Sequence, residues 1–239
     1  MLFRSNSFAT FHLITWRSRF VALARLGFDR RVLNNVDGVV FWRLLGTGSG
    51  STTSPSADLS RSAAFIVWRD EDAFESFMAT SAIARRWSSS RLVSESWSTR
   101  LRTTGGHGSW QGFKPYEAIS RGAQDGVVAV ITRANIRLKS WRAFSRAGVE
   151  VDRQLQEAPG LIAVCGIGEA PRGRQGTFSL WQSLDDARRF AFQTPLHRQV
   201  IDDTHQGGWY AEELFARFEP YDAVGRWDGR NPLDKNLSA

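Results

Sequence analysis

Apolar residues fall into short runs separated by stretches with helical spacing, and the pattern comes round twice. Phe65-Ile66-Val67-Trp68 leads into an acidic patch, Asp70 to Asp72, and then a helical pattern through Phe77 to Arg85. Phe178-Ser179-Leu180-Trp181 leads into Asp185-Asp186 and a helical pattern through Phe190 to Arg198. The offset is constant, since 178 − 65, 185 − 72 and 198 − 85 all equal 113, the signature of an internal repeat. Upstream, Gly46-Thr47-Gly48 answers Gly166-Ile167-Gly168 at an offset of 120. About seven extra residues therefore lie in the first half, within the Ser/Thr-rich stretch Ser49 to Ser62.

Each half predicts the same order of elements. An apolar strand (Phe8 to Trp16; Gly126 to Thr132) precedes a helix (Ser18 to Asn34; Leu138 to Glu157). Two strands follow (Val39 to Leu45 and Ala63 to Trp68; Leu161 to Gly166 and Gly176 to Gln182). A second helix (Glu71 to Ser88; Leu184 to Thr204) and a fourth strand (Leu92 to Leu101; Phe215 to Tyr221) complete the unit. This β-α-β-β-α-β order is the ferredoxin-like split unit. The expected fold is α+β: tandem ferredoxin-like repeats forming a fused dimeric α+β barrel, with a cavity between sheet and helices. The halves run over 1–104 and 125–222. A linker occupies 105–124, with Gly105-Gly106-His107-Gly108 and Pro115, and a polar tail, 223–239, is expected to be ordered in part.

Composition narrows the function. Of 239 residues, 42% are hydrophobic, which excludes wholesale disorder and allows a sizeable core. The single cysteine, Cys165, excludes an intramolecular disulfide and thiolate metal clusters. It sits in an apolar run and reads as a small buried hydrophobe in a reducing, cytoplasmic protein. The net charge of +7 comes mainly from dispersed arginines, with lysine only at 114, 139 and 235. No basic stripe interleaves with aromatics, which argues against nucleic acid; a diffuse positive field suits anionic substrates or peripheral contact with a membrane. The longest apolar stretches fall far short of the roughly 20 residues of a spanning helix.

Four histidines are candidates for chemistry. His12, in the first strand, reads as a satisfied structural histidine, and His107, among glycines, as a loop residue. His197 and His205 are eight apart, about 80° around a helix, so they are not a metal pair. A lone helical histidine facing a cavity is compatible with axial haem ligation, and equally with a capped helix start. Gly-x-Gly at 46–48 and 166–168 does not complete a dinucleotide loop and suits close strand or ligand approach. Adjacent acids such as Asp202-Asp203 and Glu212-Glu213 point apart on a helix. Trp42, Trp68, Trp97, Trp110, Trp181, Trp209 and Trp227 are spread over both halves and suit either core packing or a flat apolar ligand. Trp42, Arg43, Phe178 and Trp181 are expected near the cavity, on strands that face each other. Strand alternation turns at most one of Trp42 and Arg43 inward.

Several motifs together resemble the spheroidene monooxygenase family of carotenoid-modifying oxygenases. They are Phe41-Trp42-Arg43-Leu44-Leu45-Gly46-Thr47-Gly48, Thr132-Arg133-Ala134, Gly166-Ile167-Gly168-Glu169, Phe178-Ser179-Leu180-Trp181, Thr194-Pro195-Leu196-His197, and the run Trp209 to Phe218. Trp227-Asp228-Gly229-Arg230-Asn231-Pro232-Leu233 closes the chain in the same manner. The resemblance implies a haem b enzyme that inserts oxygen into an acyclic carotenoid. His197 then supplies the axial ligand to iron, and Arg43 or Arg133 meets a haem propionate. An electron donor or peroxide is implied as co-reactant. After Gly48, where the family commonly continues Glu-Gly-Phe, this chain reads Ser49-Gly50-Ser51-Thr52. That change leaves two other readings open: a haem enzyme acting on a nitrogen-containing metabolite, and a cofactor-independent monooxygenase or ligand-binding barrel.

Overall fold

Strands and helices alternate along the chain as the apolar runs predict. The computed structural model describes residues 6–48, 57–123, 125–137, 140, 151–169, 173–193 and 210–234. His197, His205, Trp209 and most of the Ser/Thr-rich stretch lie outside these. The first half comprises β1 (Phe8–Trp16), α1 (Arg19–Leu33), β2 (Val39–Gly48), β3 (Ala57–Trp68), α2 (Glu71–Thr80), α3 (Ala82–Trp87) and β4 (Val93–Gly108). After α4 (Pro115–Ala118) come β5 (Val128–Ile136), a helical stretch at 151–156 (α5), β6 (Leu161–Gly168), β7 (Arg174–Trp181), α6 (Leu184–Gln193) and β8 (Tyr210–Gly225).

The repeated acidic patches are helix starts. Asp70 Oδ1 accepts from the Ala73 amide at 3.0 Å, with Glu71 and Asp72 in the first turn of α2. Ser183 Oγ accepts from the Asp186 amide at 3.1 Å and donates to its carboxylate at 2.7 Å at the start of α6. Both place negative charge where unpaired amides collect. The helix expected over Glu71 to Ser88 is broken at Ser81, whose extended backbone ends α2 and whose hydroxyl caps α3. β4 and β8 are also longer than expected. Residues 105–108 belong to β4 rather than to a linker, and the tail begins only after Gly225.

All eight strands pair antiparallel in one closed barrel, in the order β1-β3-β2-β6-β7-β5-β8-β4. Each half runs fourth, first, third, second strand across its sheet. Two seams join the halves: a short one where Gly46 and Thr47 face Gly168 and Ile167, and a long one between β4 and β8. Register corrects the repeat. Gly46 faces Ser62 and Gly168 faces Gln175, so Gly46 answers Gly168, not Gly166, and the offset here is 168 − 46 = 122. The additional residues of the first half therefore number nine, 122 − 113, rather than seven.

The long seam ends in two matching turns. Trp110-Gln111-Gly112-Phe113 and Trp227-Asp228-Gly229-Arg230 each close on themselves, with left-handed backbone at Gln111, Gly112, Asp228 and Gly229. Each turn is held by the other half: Gly112 donates to Glu212 at 3.0 Å, while Asp228 and Gly229 donate to Glu95 at 2.9 and 2.7 Å. Gly108 and Gly225, just before the turns, have φ of +78° and +88°. A Cβ on either would lie 2.1 Å from a carbonyl oxygen of the neighbouring strand. These two positions require glycine.

Odd-numbered residues of β1 to β5 fill the barrel, including Phe11, Phe41, Phe65 and Trp97, and β7 and β8 add Phe178 and Phe218. The outer face of the first sheet is covered by α1, α2 and α3 through Leu33, Phe74, Phe77 and Trp87. His12 lies on that face against Trp87, ring centres 4.6 Å apart, and its Nε2 has no hydrogen-bond partner. It is buried as expected but not satisfied, and burial lowers its pKa to about 3. The unfolded chain, with an ordinary value of 6.5, takes up this proton first as pH falls. His12 thus contributes a stability that is complete above pH ~6.5 and is lost progressively down to pH ~3, by up to about 1.4 kcal/mol per pH unit. In urea unfolding followed between pH about 4 and 6, His12→Phe should flatten the wild-type slope by roughly that amount.

Candidate active site

The barrel axis is not the site. Phe11 and Phe178 stack at its centre, ring centres 3.7 Å apart, and Trp110 and Trp227 are buried at its two ends. Phe178 is therefore core rather than lining. Trp42 lies on the outer face of the first sheet, against the helices, and Trp181 on the outer face of the second, 5.6 Å from Phe190. Only Arg43 and Phe178 share the interior, so the structure does not bring the four expected residues together. Strand alternation is the reason: Trp42 and Arg43 are adjacent and Phe178 and Trp181 are three apart, so each pair is split between the two faces. Among the other tryptophans, Trp68 and Trp97 are core as well.

The largest charged network inside the barrel lies at one end, beneath Trp110. Glu169, whose side chain is 7% exposed, accepts from the Trp110 indole and lies 3.3 Å from Arg43, 3.6 Å from Arg133 and 3.7 Å from Arg174. Arg133 also donates to Glu212. Burial pushes the Glu212 carboxyl up, but hydrogen bonds from Ser109, the Gly112 and Gln111 amides and Arg133 outweigh it and bring the pKa to about 2. Arg43 and Arg133 are thus committed to carboxylates inside the barrel, which corrects the expectation that either meets a propionate. The network is a fastener that holds the 110–113 turn in the barrel mouth. Cys165 is buried as expected, and desolvation raises its thiol to about 12, which removes it as a nucleophile.

The outer face of the second sheet differs from that of the first. Cross-strand rows run Gly105–Arg217–Val130–Ser179–Val164 and His107–Phe215–Thr132–Thr177–Gly166. In the matching rows of the first sheet, Trp42 stands for Val164, Leu44 for Gly166 and Ile66 for Ser179. Bulk that seats helices directly on the first sheet is replaced by small residues on the second. Gln175, buried in the next row, has an Nε2 with no hydrogen-bond partner. His107 is exposed on β4 and stacks on Phe215 at 5.4 Å, where a loop position was expected. An open groove of about 760 Å³ adjoins this face, lined by Thr103, Gly105, Gly106, Tyr116 and Arg121 among others.

Charge is inverted between the faces too. Arg100 of the first half is held by Glu71 at 2.6 Å, Glu75 at 2.7 Å and Asp222 at 3.7 Å. Its counterpart is Arg217, and the counterpart of Glu75 is Arg188 on α6. Arg217 makes no ion pair among the described residues, and its Nε is buried without a partner. Burial, then repulsion from Arg188, lowers its pKa. A cationic pair thus replaces a salt bridge beside a platform of small side chains. Among the described residues no cluster of three His, Cys, Asp or Glu is arranged to hold a metal ion.

Comparison with known proteins places the chain. No family model matches it. A spheroidene monooxygenase from Rubrivivax gelatinosus is 34% identical over 196 residues, covering 81% of this chain and 73% of the relative. The chain belongs to the spheroidene monooxygenase family. The spheroidene monooxygenase of Cereibacter sphaeroides is 26% identical over the whole chain and 71% of its own length. That of Rhodobacter capsulatus is 28% identical over 88% of both chains. A crystal structure of aldoxime dehydratase superposes with a TM-score of 0.61 at 12% identity, over 92% of this chain and 84% of the other, a likeness of fold. As a member of the spheroidene monooxygenase family the protein is an enzyme, an oxidoreductase.

The motifs that resemble the spheroidene monooxygenase family meet in space. Arg43, Arg133, Glu169 and Glu212 come from four separate motifs and form the one network under Trp110. Sequence reasoning missed Trp110 as the partner of this cluster, although Trp-x-Gly-x-x-Pro stands at both 110–115 and 227–232. It also missed Arg217, whose match to Arg100 becomes visible only once strand register aligns the two rows. Glu169→Gln leaves Arg43 and Arg133 without their shared charge and is expected to cost about 3–5 kcal/mol in denaturant unfolding.

Proposed function

We propose that this protein is a haem-dependent monooxygenase acting on a carotenoid, with haem b held against the outer face of the 125–222 half. Membership of the spheroidene monooxygenase family carries the substrate class and reaction type. The strand order, repeated in both halves, supports reading the frame as tandem ferredoxin-like repeats fused into the equivalent of a dimeric barrel.

The residues present fit a haem. Gly166, Thr132, Thr177 and Ser179 leave a flat platform between Phe215 and Trp181, suited to a planar apolar ring. Arg217 and Arg188, lacking a common carboxylate, suit the propionates through charge-assisted hydrogen bonds. His197, four residues beyond Gln193 and outside the described residues, would hold the haem iron. Bound there, haem supplies activation of dioxygen or peroxide, with an external reductant in the first case. The chain orients the group through its arginines. The packed sheet behind the platform keeps water from that side.

An absorption titration with hemin tests the cofactor. A Soret band is expected; His197→Ala should abolish or strongly shift it, and Arg217→Gln should weaken hemin affinity about tenfold, the worth of one charge-assisted bond. Absence of any Soret band would remove haem from the reading. Expression in cells that accumulate acyclic carotenoids should yield keto products. A folded, haem-loaded enzyme that leaves every carotenoid unchanged would overturn the substrate and leave the cofactor standing.

A further inference from the structure

We propose that the outward face of α1 docks this protein onto an anionic lipid surface. The helix seats itself through Ala22, Asp29 and Leu33, which are buried. Phe20, Leu23, Phe28 and Val32 are 71%, 48%, 64% and 41% exposed. Only two other large apolar side chains, Leu59 and Val224, are exposed among the described residues, so four of six collect on one helix. Phe20, Ala24, Phe28 and Val32 recur every fourth residue, which makes one continuous ridge along a helix about 22 Å long. Exposed apolar residues scattered singly need no explanation; a contiguous ridge does.

The charge around the ridge is of one sign. Arg19, Arg25, Arg30 and Arg31 belong to the same helix. Its single acid, Asp29, is buried and neutralised by Arg86 at 2.7 Å and Arg25 at 3.7 Å. Past the helix end, Asp37 is matched by Arg69 at 3.2 Å. An apolar ridge flanked by arginines is what an in-plane interfacial helix presents: rings enter the acyl boundary while guanidiniums reach phosphate. A second copy of the chain fits less well, because a two-fold contact would set these arginines against themselves. No helix among the described residues is long and apolar enough to cross a membrane, so α1 would lie on the surface. The inference rests on α1 alone and is independent of the cofactor and substrate.

Flotation with phosphatidylcholine vesicles, with and without phosphatidylserine, tests it on the full chain. The wild type should float with the phosphatidylserine vesicles, not with phosphatidylcholine alone, and salt should release it. Phe20→Ser with Phe28→Ser should reduce binding by about tenfold or more. Arg30→Gln and Arg31→Gln should each reduce it about fivefold. These positions are exposed, so circular dichroism and melting should match the wild type. Val224→Ser, equally apolar and exposed elsewhere, should bind as the wild type does. Wild-type protein that stays unbound, or a Phe20/Phe28 double variant that still floats fully, would overturn the proposal. So would a vesicle-free dimer that the double variant converts to monomer, since the ridge would then be a self-interface.

Discussion

Everything in this protein depends on closing two sheets that each end in open edges. β2 and β4 bound one sheet, β6 and β8 the other, and unpaired edges of this kind are aggregation hazards. The short seam is made by glycine facing glycine, Gly46 to Gly168, where two backbones come together without side-chain bulk. The long seam is locked from both ends by an exchange: Glu95 holds the turn after β8, and Glu212 holds the turn after β4. Because each half secures the other, Trp110 and Trp227 can be driven into the barrel mouths and the interior filled with aromatic rings.

A filled interior has a functional corollary. With Phe11 on Phe178 at the axis, a ligand has no room inside, and the differences between the halves appear on the outside of the sheets. There the first half uses Trp42, Leu44 and Ile66 to seat helices, and its arginine is neutralised by three acids. The second half keeps the backbone frame but not the bulk, and its Arg217 has no ion pair among the described residues. Repetition of the frame makes this difference readable, since one half serves as the internal control for the other.

Period-two and period-3.6 patterning carried the order of elements, because apolar runs and acidic helix starts such as Asp70 and Asp185 are local signals. Register was less legible. Matching Gly46 to Gly166 is two residues out, as a Gly-x-Gly motif offers two equally plausible matches and only cross-strand pairing chooses between them. A helix break such as that at Ser81 has no clear local signal, because serine tolerates both helix and cap. The site was less legible still. Arg43 and Arg133 could be singled out as cations, but their partner Glu169 is 36 residues or more away in sequence and reaches them only through the closed barrel. Arg217 could not be singled out, because its interest lies in its having no ion pair among the described residues.

The reciprocal locking of the turns has a consequence for how the chain acquires its structure. β4 ends at Gly108, yet its partner strand begins at Tyr210 and the turn held by Glu95 lies near residue 228. During synthesis the β4 edge of the first sheet must wait, bare, while about a hundred residues more are made. Contacts so distant in sequence raise the contact order and slow folding. A nascent chain of this design is therefore exposed to wrong partners for longer than one built from two self-sufficient domains, which ties its yield in the cell to chaperone capacity rather than to native stability alone.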